Sequence, residues 1–218
     1  MKDGRGRAGR AARALAAWLG AAALAACTFG GAGDPVQHTY LLGGDGPARA
    51  AAPPADPRAA ATLLVGQPQA LAGFDTPRMA YVARPHEVSY YAASQWADVP
   101  GRMVAPLLAR ALERTGAWRA VVQGAGAVRA DYRVDADSLT VAHELFEKPS
   151  RVRLALRLQL VETRERRVLG TRAFEVVEAA PGDDAYGAAL AANRALPKLL
   201  EQAAEWASGC MKDAAKGC

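Results

Sequence analysis

From residue 151 large apolar side chains recur at every second position, Val152, Leu154, Leu156, Leu158 and Leu160, with Arg151, Arg153, Arg157 and Gln159 between them. A period of two puts alternate side chains on opposite faces, so this segment reads as a strand with one face buried. The same reading extends to RRVLGTRAFEVVEA, joined to it by a turn at Thr163 to Arg166, and the two make a hairpin. In DYRVDADSLTVAHEL the apolar positions switch from even (Tyr132, Val134, Ala136) to odd (Leu139, Val141). A bulge near Asp137-Ser138 accounts for the switch.

Upstream, TLLVGQP, RMAYVA and HEVSYYA are further strands, with turns at Gly73 to Pro77 and at Arg84-Pro85. A short one is expected at Tyr40 to Leu42, and AWRAVVQ supplies another. Helical spacing occurs twice. Met103, Val104, Leu107, Leu108, Ala111 and Leu112 form an apolar stripe behind an Asp98/Pro100 start and before Gly116. The second helix, DDAYGAALAANRALPKLLEQAAEWA, directs Leu190, Leu196, Leu199, Leu200 and Trp206 to the core, with a kink expected at Pro197. About seven strands and two principal helices imply an α+β fold: a two-layer sandwich of a mainly antiparallel sheet with helices on one face.

The first 26 residues change the reading of the charge. Lys2, Arg5, Arg7, Arg10 and Arg13 precede the apolar run ALAAWLGAAALAA, which is too short to span a bilayer and has the form of a secretory leader. It ends in Leu24-Ala25-Ala26-Cys27, which looks like a bacterial lipobox: a thiol to be lipidated, behind small residues. Cleavage before Cys27 would remove five basic side chains and Asp3, four of the five net positive charges of the 218-residue chain. The sequence pI near 9.3 therefore describes mostly a discarded peptide, and a nucleic-acid partner is not expected. Three acyl chains on one cysteine would anchor the domain durably. Thr28, where inner-membrane retention favours aspartate, points to the periplasmic face of the outer membrane.

The expected organisation is a signal peptide at 1–26, a lipidated Cys27 and tether at 27–38, one domain at 39–208 and a tail at 209–218. Within the domain, the Gly/Ala/Pro-rich segment 43–60 reads as a mobile loop. Cys210 and Cys218 would be exposed to an oxidising compartment, where a disulfide closing the tail is one option and free thiols the other.

Chemistry-bearing motifs are weak. His143-Glu144 begins like a zinc-protease helix, but position 147 is Glu and the segment is a strand, so it reads as a solvated strand end. Gly124-Ala125-Gly126 lacks the third glycine and the following helix of a dinucleotide loop. His86-Glu87 has no nucleophile or oxyanion donor beside it in sequence. No catalytic residue, metal or cofactor is expected. Two surfaces stand out instead: the aromatics Tyr81, Tyr90, Tyr91 and Trp96, and the arginines Arg151, Arg153 and Arg157. Each is readable as fold or as a partner- or lipid-binding surface.

Together these segments carry a resemblance. The lipobox, HTYLL, Asp75-Thr76-Pro77-Arg78-Met79-Ala80-Tyr81, the run from Ser89 to Pro100 through Tyr90, Tyr91 and Trp96, and Ala192-Asn193-Arg194-Ala195 in a late helix resemble the ABC-type transport auxiliary lipoprotein family, the PqiC or YmbA-like proteins. The resemblance implies a non-enzymatic part of an intermembrane lipid transport system, working with an MCE-domain protein and an inner-membrane permease and ATPase. It leaves a ring of identical copies open. The rival readings are a structural or assembly lipoprotein of the outer membrane and, further off, a lipoprotein hydrolase.

Overall fold

A computed structural model describes residues 36–43, 61–124, 129–212 and 218. The leader, Cys27, most of the tether, segment 44–60 and residues 125–128 and 213–217 lie outside the described residues. The elements are β1 (His38–Tyr40), β2 (Thr62–Val65), β3 (Arg78–Arg84), β4 (Glu87–Trp96), α1 (Pro100–Arg114), β5 (Ala120–Gln123), β6 (Tyr132–Glu144), β7 (Arg151–Glu162), β8 (Arg167–Ala179) and α2 (Ala185–Lys212).

Strand β6 is the spine of an eight-stranded sheet. Antiparallel β7 follows one edge of it from Tyr132↔Glu162 to Glu144↔Arg151, and β8 continues the meander. The other edge is shared end to end by two strands, β2 beside Leu63↔Tyr132 and β3 beside Ala80↔Ala142, both parallel to it. Beyond β2 lies β5, and beyond β3 lie β4 and then β1. The long ladders are antiparallel, as the short turns between consecutive strands imply. The four short ones are parallel, which periodicity cannot reveal because both pairings put alternate side chains on opposite faces.

The bulge lies where the parity switch puts it. Register steps from Asp137↔Arg157 to Thr140↔Ala155, so that Ser138 and Leu139 together face Leu156, and Ser138 takes a positive φ of 55°. Alongside it the chain leaving β2 continues the pairing: Gly66 N–H donates to Val134 O at 2.9 Å, Gln69 N–H to Ala136 O at 3.0 Å and Leu71 N–H to Leu139 O at 3.0 Å. Residues 71–77 then turn, and β3 takes over the same edge.

Both helices cover one face. Val134, Ala136, Leu139 and Val141 of β6 and Val152, Leu154, Leu156, Leu158 and Leu160 of β7 are buried there, at about 1.5–3 kcal/mol for each fully buried large side chain. Helix α2 meets them with Ala188, Ala191, Ala192, Ala195, Leu196, Leu199, Leu200 and Ala203, and α1 adds Val104, Leu108 and Leu112. The small side chains let α2 lie close to the leucine row. On the second face Phe74, from the turn before β3, covers Ala80 and Ala142, so that face is not wholly open.

Several boundaries differ from the sequence reading. The first strand is His38–Tyr40, two residues earlier than expected, because Leu42 turns into the core instead of continuing it. Strand β4 runs on to Trp96. Helix α2 continues through Pro197 and on to Lys212, so the first four residues assigned to the tail are helical. At the start of α1 the cap residue is Val99, without a side-chain cap; Asp98 instead accepts from Val99 N–H at 2.7 Å and from Arg102 Nε at 2.9 Å.

Gly101, in the first turn of α1, lies against the backbone of the β2–β3 connection: a Cβ there would sit 2.3 Å from Pro68 O. Backbone cannot yield as a side chain end can. Gly101→Ala is expected to push α1 off this connection and lower stability by about 1–3 kcal/mol, despite alanine's higher helix propensity. Urea unfolding checks this; a stabilised variant would refute the contact.

Candidate interaction surfaces

The four aromatics of β3 and β4 do not share one surface. Trp96 is 3% exposed and belongs to the main core. Tyr91 is half-buried against the same core, with the Tyr81 ring 4.9 Å away. Tyr90 points to the other face, where its hydroxyl donates to Gly73 O at 2.8 Å and the Arg78 guanidinium lies 4.0 Å from its ring centre. His86 sits in the β3–β4 turn at a positive φ of 68°, and Glu87 pairs with Arg84 at 2.6 Å. No reacting pair is assembled there.

The titratable group that the sequence reading undervalued is His143. The sequence reading placed it on a solvated strand end, but it is 1% exposed. After the bulge, Leu139, Val141 and His143 share the inward parity, and that alternation was the signal for its burial. Its Nδ1 lies 2.7 Å from the Tyr91 hydroxyl and its Nε2 3.0 Å from Ser150 Oγ, while the Ser150 hydroxyl is hydrogen-bonded to Asp183, which Lys148 pairs at the surface. A carboxylate only accepts, which fixes the direction of the chain. Ser150 donates to Asp183 and accepts from His143 Nε2–H, leaving Nδ1 to accept from Tyr91. Burial pushes the His143 pKa down, favouring this neutral arrangement, despite the charges of Asp183 and Asp184. Burial, aided by Asp184, pushes the Tyr91 phenol up. Ser150 beside His143 has the look of a nucleophile with its base, but the serine is fully buried and its proton is held by Asp183, so no substrate can reach it.

Arg151, Arg153 and Arg157 do lie on the face away from the helices, each bonded to carboxylates. Glu144, itself buried, accepts from Arg151 Nε at 2.7 Å and Arg153 Nε at 2.6 Å; Arg153 also reaches Glu175, and Arg151 reaches Glu147 at 3.3 Å. Arg157 binds Asp137 through two nitrogens, at 2.7 and 2.8 Å. Burial pushes the Glu144 carboxyl up, yet the two guanidinium groups outweigh it and hold it below the usual range. This face is a lattice of paired charges with both signs interspersed.

The edge strand and Cys218 are each pinned. Asn193 on α2 accepts from Gly43 N–H and donates to Leu41 O at 2.9 Å, so a residue of the late helix fixes the exit of β1. Cys210, buried at the end of α2, is joined to Cys218, with Cα atoms 5.3 Å apart, and Cys218 N–H donates to Leu169 O on β8 at 3.2 Å. Gly170 makes the room: a Cβ there would lie 2.9 Å from Cys218 Sγ. A depression of about 280 Å³ lined by Ala61, Asp131, Tyr132, Glu162 and Arg164 uses its carboxylates internally, Asp131 on Thr62 N–H and Glu162 on Arg167. Among the described residues no group of three or more His, Cys, Asp and Glu is placed to hold a metal, and no helix is long and apolar enough to cross a membrane. Cys27 lies outside the described residues.

Residues 40–204 match the family model of the ABC-type transport auxiliary lipoprotein component. No curated protein sequence matches. Among solved structures, protein XCC0632 from Xanthomonas campestris, described under the family model DUF330, is 23% identical with a TM-score of 0.70, covering 82% of this chain and 98% of that one. Similarity to the PelC dodecamer from Paraburkholderia phytofirmans is looser, at 12% identity and a TM-score of 0.37 over 64% of this chain and 85% of that one. Lipoprotein GNA1162 from Neisseria meningitidis gives 12% identity and 0.34 over 63% and 96%. The first supports the fold; the other two carry no argument.

Two outcomes test this geometry. Because the folded pKa of His143 lies below its unfolded value of about 6.5, the unfolded chain binds the extra proton first and stability falls as pH drops below that value. His143→Gln should flatten the melting temperature between pH 7 and 5; an unchanged slope would remove His143 as the cause. Glu144→Gln leaves two guanidinium groups short of charge and should cost about 2 kcal/mol, less than a fully buried pair because both arginines stay about a third exposed. Denaturant titration at pH 7 reads it.

Proposed function

The chain belongs to the ABC-type transport auxiliary lipoprotein family, and from that premise we propose that it is the periplasmic, non-enzymatic auxiliary subunit of an intermembrane lipid transport system, held at the outer membrane by lipidated Cys27. The observation that carries this reading is the order of parts along one chain: a lipobox at Leu24 to Cys27, then a family domain whose match begins at residue 40. Thr28 supports the outer membrane over the inner. The partners are an MCE-domain protein and, through it, an inner-membrane permease and ATPase. Palmitoyl and diacylglycerol chains at Cys27 hold the domain near the membrane, where tethering raises the effective concentration of a docking partner without any new contact.

The docking contacts on this reading lie on the face away from the helices, where Arg151, Arg153 and Arg157 alternate with their carboxylates and Val168 and Val177 stand exposed between charges. A charge-balanced lattice suits a protein partner of matching pattern better than a uniformly anionic surface. Tyr81 and Tyr90, half-buried on opposite faces, are secondary contacts; Trp96 and Tyr91 act from within by fixing β4.

Cys27→Ala expressed with its leader should leave the outer-membrane fraction, stay soluble in the periplasm and lose acyl incorporation while folding normally. Crosslinking the wild type in the envelope and identifying captured proteins and lipids should recover an MCE-domain protein or a permease, and capture should fall at least several-fold with Cys27→Ala. Recovery of neither component in repeated captures would count against the transport reading.

A further inference from the structure

The edge of the domain that follows the tether carries apolar side chains that the fold holds in place and that stand exposed. Leu41 is 64% exposed and Tyr186, in the first turn of α2, 58% exposed. The Tyr186 ring lies 6.3 Å from that of Tyr40, and Tyr40 stacks on His38 at 6.4 Å, so the patch joins an edge strand to a helix. It is built rather than frayed. Ala97 N–H donates to Tyr40 O at 2.7 Å, Asn193 grips the backbone at Leu41 and Gly43, and Leu42 between them is buried. Leu41 is thus aimed outward by its neighbours' bonds.

The nearby carboxylates are already partnered. Asp183 pairs with Lys148, and Asp184 accepts from Gly187 N–H at 2.7 Å at the start of α2, where the helix dipole favours negative charge. A surface of leucine and tyrosine has the chemistry of residues at a bilayer's headgroup level, where an amphipathic ring keeps its hydroxyl wet. The chain length outside the described residues supplies the occupant. Ten residues, 28–37, follow Cys27 up to the edge of the domain, a reach of at most about 35 Å fully extended, so the bilayer that holds the anchor is always within range of this edge.

We infer that the Tyr40, Leu41 and Tyr186 face, rimmed by His38, rests in the headgroup layer of the phospholipid leaflet that carries the Cys27 anchor. The inference rests on the lipidation reading. Its consequence is orientation. Helix α2 runs from Tyr186 to Cys210 beside Gly170, so the Thr163 to Arg166 turn lies at the far end of the domain and faces the aqueous compartment.

The test uses the full-length lipidated protein in phosphatidylethanolamine/phosphatidylglycerol vesicles, with an environment-sensitive fluorophore on a single new cysteine at Leu41→Cys, Tyr186→Cys or Arg164→Cys. Blue-shifted emission and quenching by headgroup-proximal nitroxide lipids at 41 and 186, with neither at 164, is the expected result. Adding Leu41→Asp and Tyr186→Asp together to a His38→Cys reporter should reduce its lipid quenching at least several-fold. Vesicle-bound protein whose labels at 41 and 186 behave like the one at 164 overturns the inference and leaves the anchor standing. Labels shielded from water but not quenched by lipid overturn it in favour of a second copy or another protein. Failure to bind vesicles at all removes the anchor and the inference with it.

Discussion

The extra residue in β6 decides the face of everything beyond it. Up to Ala136 the even positions of β6 lie under the helices; past Ser138 the odd ones do, and a one-residue slip in a strand exchanges its two faces. Without it Glu144 would point at the leucines of β7 and His143 would point at water. With it, Leu139 and Val141 fill the core opposite Leu156 and Leu154, His143 enters the hydrogen-bonded chain, and Glu144 gathers two arginines on the other side. The same point is where the second edge of β6 passes from the β2 segment to β3. One local irregularity thus lets the spine hold two parallel partners end to end while keeping a single core.

That division of faces limits what the domain can do. On the helix side the buried Ser150–His143 contact is sealed between Tyr91 and Asp183. The other side is charged but internally matched, so it is soluble without being an open cationic field. The family to which the chain belongs is one of transport auxiliaries.

The motif segments take their meaning from packing. The Ser89 to Pro100 run that carries the family resemblance serves three places at once: Tyr90 braces the turn at Gly73, Tyr91 holds His143, and Trp96 fills the core beside β1. Asn193, from the late helix, acts on backbone 150 residues earlier. Tyr90, Tyr91 and Asn193 are tied to their sites by hydrogen bonds to residues far away in the chain, and Trp96 by packing.

The sequence by itself determined the periodic features. Alternation set β7 and its buried row, the parity switch located the bulge, helical spacing set α1 and most of α2, and the lipobox with its short apolar leader set the expectation of an anchored periplasmic domain. These are local, because they follow from how successive side chains project from a strand or helix. Only the tertiary structure decided which strands meet in parallel, that Glu144 binds Arg151 and Arg153, that His143 is reached by Tyr91 and Ser150, and that Tyr40 meets Tyr186. Those depend on residues far apart in the chain, whose pairing is set by the packing of whole elements and leaves no period to read.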